Sequence, residues 1–170
     1  MGETRTTYIR GARLVWRYLY LDGAGQPAPP DEALREGIQL LESIRKEHDS
    51  EVNWILGKAY EAAGEFARSA ERFAAAYAAN SERRETIHEY AIALLRIGLR
   101  ARAFEVLEAA DGGDPLLVFD RALTLYACGD HDEARMLLDG FEWPASFVGR
   151  VTELRNRAIG AAQQDEIGSM

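Results

Sequence analysis

Three glycines, Gly64, Gly98 and Gly129, recur 34 and 31 residues apart, each within the same local pattern of small and large apolar residues. Glycine accepts the left-handed backbone that ends a helix and lets the chain turn back. The first unit reads Asn53, Trp54, Ile55, Leu56, Gly57, Lys58, Ala59 and Tyr60 before its glycine, and Phe66, Ser69, Phe73 and Ala76 after it. Moving forward 34 positions gives Tyr90, Ala91, Leu94, Gly98, Ala103, Leu107 and Ala110, and a further 31 gives Arg121, Ala122, Leu125, Gly129, Ala134 and Leu138. Small residues recur where two helices must touch, and large apolar ones recur one turn away. Self-similarity at this period predicts an all-α chain of antiparallel helix hairpins, each burying its face against a neighbour.

On these residues the chain resembles the tetratricopeptide repeat (TPR) family. Its signature, W-x2-L-G-x2-Y followed by Ala, Phe and Pro, is met by Leu56, Gly57, Tyr60 and Phe73 in the first unit, by Ala103 and Pro115 in the second and by Ala134 in the third. Asn53 stands at the signature's Trp, with Trp54 one residue later; Ser81 stands where Pro is usual, and Arg121 replaces the Leu. The resemblance spans roughly Ser50 to Gly140. It implies a right-handed superhelical α-solenoid that works through its surface residues, and it says little about function.

The expected organisation is one continuous domain. Residues 1–49 form a degenerate N-terminal helical hairpin, 50–140 three TPR-like repeats, 141–163 a C-terminal capping helix and 164–170 a flexible tail. In the leading hairpin, Ile9, Ala12, Val15, Trp16 and Leu19 share one helical face, with Arg10, Arg13 and Arg17 on another. A Gly- and Pro-rich linker follows, Asp22 to Pro30, and then a helix opened by Asp31 and Glu32 that carries Leu34, Ile38, Leu41 and Ile44 or Ser43. Ser50 and Ser81 are expected N-caps, Asp114-Pro115 places a cap before a proline at the first helical position, and Asp130 to Glu133 has capping-box spacing. After Trp143-Pro144, a last helix carries Phe147, Val151, Leu154 and Ala158 on one stripe, with Arg150, Glu153, Arg155 and Arg157 outward. Such a helix covers the apolar face that a final repeat would otherwise leave in water.

A formal net charge of −8 argues against general affinity for nucleic acid, which comes mainly from neutralising phosphates. Residues 1–20 hold four arginines against Glu3, a net of +3, leaving −11 on the other 150 residues. That acid favours a partner with basic residues. No apolar run approaches the roughly 18 residues of a membrane span, and no signal-peptide pattern opens the chain, so a cytoplasmic location without membrane contact is expected. Cys128 is the single cysteine, expected as a packing residue rather than a reactive thiol. His48, His88 and His131 lie at different helical registers, His131 within a cap, and no His pair has i, i+4 spacing. The Gly-rich stretches at 22–26 and 112–113 lack the lysine of a phosphate loop. No catalytic group, metal site or cofactor is expected, and the chain reads as non-enzymatic.

The candidate site is the face of each first helix that hairpin packing does not use. Leu56, Gly57 and Tyr60 turn to the partner helix, which leaves Trp54, Lys58 and Glu61 as a neighbouring stripe. Its counterparts are His88, Ile92, Leu95 and Arg96 in the second repeat and Phe119, Leu123 and Tyr126 in the third. The resemblance implies that this stripe lines a concave groove that binds a peptide or protein segment, with Trp54, Phe119 and Tyr126 as its anchors and Lys58, His88 and Arg96 orienting the ligand. The alternative is that the protein's own termini, either the Trp16-bearing first helix or the tail, fill the stripe, or that an offset of one residue in register buries it. The family's clamp for a chaperone C-terminus is not supported, since its asparagines fall on Lys58, Glu89 or Ile55. Two functional readings stand: an interaction module, or a small acidic chaperone of the secretion type or a toxin-neutralising immunity protein. Weak self-association through Arg10, Arg13 and Arg17, with Tyr8, Trp16, Tyr18 and Tyr20 beside them, is a further expectation.

Overall fold

The structure, a computed structural model, describes residues 2–19, 29–45, 49–110 and 112–168, with side chains described as far as 162. Most of the linker after the first helix, His48 and the last two residues lie outside the described residues. Every regular element among the described residues is helical: α1 (Gly2–Leu19), α2 (Glu32–Ile44), α3 (Ser50–Ala62), α4 (Phe66–Ala79), α5 (Arg84–Arg96), α6 (Arg100–Glu108), α7 (Pro115–Cys128), α8 (His131–Gly140) and α9 (Val148–Gly168), with a 3-10 turn at Ala145–Phe147 before α9. Contacts group the chain into two units, residues 1–86 and 87–170.

Among the described residues, the three spaced glycines are the three with positive φ, at 78° for Gly64, 81° for Gly98 and 94° for Gly129. Each closes the helix before it in the same way. The amide one past the glycine donates to a carbonyl five residues back (Glu65 to Tyr60, Leu99 to Leu94, Asp130 to Leu125), and the glycine amide donates three back. This is the double bond of a Schellman turn. The next residue then enters the following helix with nearly the same backbone in all three turns, ψ being 63° at Glu65, 59° at Leu99 and 60° at Asp130. A capping side chain needs extended backbone at that position. None of the three caps its helix, so the capping box expected at Asp130 does not form.

Three helices that follow looser connections, α2, α3 and α7, are capped by aspartate. Asp31, Asp49 and Asp114 all have extended backbone and accept amide hydrogens of their first turns. Asp49 therefore takes the role expected of Ser50, whose hydroxyl donates instead to the Ala76 carbonyl. Ser81 is no cap either, because α5 starts three residues later at Arg84. The Asp114-Pro115 start is as expected.

In the first unit, two hairpins pack by two different close approaches. Gly57 of α3 lies so near α4 that a Cβ there would meet the Phe73 ring at 2.7 Å, so this signature glycine is a steric requirement. Between α1 and α2, Gly11 and Gly37 face each other. A Cβ on Gly37 would come within 2.9 Å of Val15 and 3.2 Å of the Gly11 carbonyl, and one on Gly11 within 3.0 Å of Leu41. Around these crossings Ala12, Val15, Tyr18, Leu34, Leu41, Val52, Ile55, Leu56, Ala59 and Tyr60 form one buried cluster. Trp16, Leu19 and Ile38 pack on its edge as expected, but Ile9 is 55% exposed and falls off the apolar face. The cations of α1 are engaged within this unit: Arg10 pairs with Glu36, and Arg17 with Asp31, which also accepts the Tyr18 hydroxyl. Arg10 and Arg17 of the basic face expected to drive self-association thus have acidic partners within their own unit, both at exposed positions.

In the second unit, the recurring small residues Ala91, Ala103, Ala122 and Ala134 are fully buried. Phe119, Ala122, Leu138, Val151 and Leu154 form its cluster, with Trp143 and Phe147 packed against it. The segment after α8 covers α7 and α8 as a cap: the Trp143 indole donates to the Leu138 carbonyl, as does Arg155, which also pairs with Asp139. Helical backbone continues to Gly168, past position 163. Cys128, expected to pack, is exposed at the end of α7.

Candidate functional site

Each repeat offers its stripe in a different state. On α3, the buried residues Val52, Asn53, Ile55, Leu56, Gly57, Ala59 and Tyr60 face inward, and Trp54, Lys58 and Glu61 stay partly exposed. Lys58 and Glu61 pair at 2.8 Å one turn apart. The Trp54 ring rests on the first unit's core, its outer face lies 5.4 Å from the Arg83 guanidinium, and its indole N–H has no hydrogen-bond partner. A large aromatic surface is thus held in place with one polar group unsatisfied and a cation across it. Neither of two clefts in this unit includes the stripe. One, of about 440 Å³, lies between Arg5, Tyr8, Asp49 and Glu51. The other, of about 540 Å³, is lined by Ile38, Glu42, Tyr60 and Arg68.

The second cleft is built around Glu42. Its carboxylate accepts the Tyr60 hydroxyl at 3.0 Å and pairs with Arg45 and Arg72, tying α2, α3 and α4 together. Burial and this carboxylate both push the Tyr60 phenol up, so it stays protonated. The group is structural glue.

On α5, Ile92 and Leu95 are partly buried and Arg96 is exposed. His88, expected to orient a ligand, is engaged within its own unit. Its Nδ1 lies 2.6 Å from an Asp120 carboxylate oxygen, and Asp120 is 1% exposed. No local sequence motif marks this pair.

On α7 the stripe is consumed by the protein's own cap. Phe119 is 6% exposed; Trp143 meets its ring edge-on at 6.2 Å, Phe147 lies at 6.1 Å, and Arg150 sits 4.3 Å above it. Leu123 and Tyr126 pack on the same cluster, Tyr126 under Arg157 at 5.2 Å and beside His131 at 5.2 Å. Phe119 is therefore a core residue and no anchor. The physical reason is the one that calls for a cap: an array end cannot leave such a face in water. In the third repeat Phe119 is covered by the segment that follows α8, while Leu123 and Tyr126 stay partly exposed.

No group of three His, Cys, Asp or Glu side chains that could hold a metal ion occurs among the described residues, and no helix there is long and apolar enough to cross a membrane.

No family model matches the chain, nor does any curated protein. Solved structures do. A mutant of MamA is similar with a TM-score of 0.66 and 16% identity over 96% of this chain and 85% of that one. MamA MSR-1 gives 0.65 and 17% over 95% and 90%. A putative kinesin light chain of Podosopora anserina with nearly identical TPR-like repeats gives 0.63 and 20% over 98% and 90%. Hairpins turned by the same left-handed glycine, small residues buried at each crossing and this likeness over nearly the whole chain agree: the protein has a tetratricopeptide-type fold.

Proposed function

We propose that the protein is a non-enzymatic, cytoplasmic interaction module that binds a protein segment on the exposed faces of its first helices. The observation that carries this reading is Trp54, a partly exposed indole fixed on a rigid helix beside the Lys58–Glu61 pair. Trp supplies large contact area at small entropic cost, and hot spots concentrate on such residues. In the second unit, Ile92 and Arg96 offer the corresponding surface of α5. Phe119 contributes only by supporting the cap.

A partner with basic residues fits the charge. Residues 87–170 hold 14 acidic and 8 basic residues, against 14 and 12 in residues 1–86. The same imbalance favours the second reading, a dedicated chaperone or antidote for one basic protein. The two separate by the number of partners a host offers.

A photo-crosslinking side chain placed at Lys58, compared with one at exposed Met136, tests the surface in cells. Capture of the same protein is expected at position 58 and not at 136, and Trp54→Ala should weaken it at least about fivefold, the effect of losing roughly 1 kcal/mol. Capture at 136 that is indifferent to Trp54→Ala places the binding surface elsewhere.

A further inference from the structure

Among the described residues, the second unit buries one carboxylate, that of Asp120. The helices beside α7 contribute Ala103, Val106 and Leu107 from α6 and Ala134 and Leu138 from α8, all buried. The charges that act on Asp120 are His88 from α5, Arg150 from α9 and Asp114 at the start of α7 itself. Among the described residues, His88 alone is within hydrogen-bond distance of it, at 2.6 Å through one oxygen, while the other oxygen has no hydrogen-bond partner there. Arg150 is exposed and lies over Phe119, so water screens it. His88 is 27% exposed, enough to exchange its proton with solvent.

We propose that His88 and Asp120 form a pH-sensitive latch between α5 and α7, engaged when the imidazole is protonated and loosened when it is neutral. This does not depend on what the stripe binds. With His88 protonated, the buried charges cancel. With His88 neutral, a net negative charge remains in an apolar surround, and a buried uncompensated charge is strongly destabilising. Burial is also the largest influence on the Asp120 carboxyl, pushing it up, and the His88 contact opposes that.

The sign follows from linkage. An imidazole facing a buried carboxylate holds its proton more tightly folded than unfolded. Its contribution is full below the unfolded value of about 6.5 and is lost as pH rises through the higher folded value. Protonation of Asp120 removes the charge pair on the acid side.

The test is a titration of the imidazole carbon–proton resonances of the full-length chain, with His88 assigned by its absence in His88→Gln. The midpoint of His88 is expected at least about one unit above the ordinary ~6.5, returning to about 6.5 in Asp120→Asn. Amide exchange at Ala122 and Thr124, corrected for intrinsic rates, should rise about tenfold or more between about pH 6 and pH 9 in the parent and stay flat in Asp120→Asn, since one unit is tenfold. If Asp120→Asn does not fold, His88→Gln carries the test, because it removes the cation and should give, at about pH 9 where the carboxylate is ionised, exchange at least as fast as the parent's. A His88 midpoint at or below about 6.5 in the parent, pH-dependent protection that persists in Asp120→Asn, or slower exchange in His88→Gln than in the parent at about pH 9, overturns the latch.

Discussion

Trp54 and Phe119 hold the same register position two repeats apart, yet one rests partly open under Arg83 and the other is buried beneath Trp143, Phe147 and Arg150. Between them in sequence, His88 has the same position and is bound to Asp120. Repeat register therefore says which way a side chain points, and not what it meets. An aromatic side chain near the end of the array is claimed by the cap, and one in the first repeat stays partly exposed. A list of groove residues read from register alone mixes exposed positions with core positions.

The largest effect should come from the buried member of this comparison. Phe119→Ala empties the site under the cap and is expected to lower the stability of the second unit by about 3–5 kcal/mol, while Trp54→Ala, partly exposed, should cost the first unit much less. Urea unfolding followed by amide exchange separates the two. Equal losses would erase the distinction between them. Next, Gly57→Leu should cost about 3 kcal/mol in the first unit, at the top of the usual overpacking range, because a Cβ alone already reaches the Phe73 ring at 2.7 Å. Smaller effects are expected at the turns. Gly129→Ala forces an ordinary side chain to φ 94° and should cost roughly 1–2 kcal/mol, although a Cβ there meets nothing within 4 Å. Asp114→Ala removes a cap that accepts two amides and should cost about 1 kcal/mol. If Gly129→Ala is neutral in thermal unfolding, the turn is not what fixes the hairpin.

The hairpin turns were legible in the sequence because positive φ leaves few choices but glycine, so three glycines at one period mark three turns. The capping helix was legible because Val151, Leu154 and Ala158 follow helical spacing, and all three are buried. The α1–α2 crossing was not. Gly11 and Gly37 lie in different helices with no local motif between them, and the available signal was only that glycine inside a helix costs about 1 kcal/mol and needs a reason. The cap of α3 falls on Asp49 and not on Ser50 because both residue types suit the role, and one residue of offset is beyond what the sequence resolves. The His88–Asp120 pair had a detectable trace: an acid inside the apolar run Leu116 to Leu125, 32 residues after a histidine and so close to one repeat away. Burial of Phe119 could not be read locally, since it depends on Trp143 and Phe147, which follow it by more than 20 residues.

Hydroxyl-radical footprinting of the intact chain, read at Trp54 and Phe119 and corrected for the intrinsic reactivity of each ring, compares the two positions in one experiment. Trp54 should be modified readily and Phe119 protected, consistent with its 6% exposure. Phe119 reacting as fast as Trp54 would mean that the cap does not cover the third repeat and that both positions belong to an open surface.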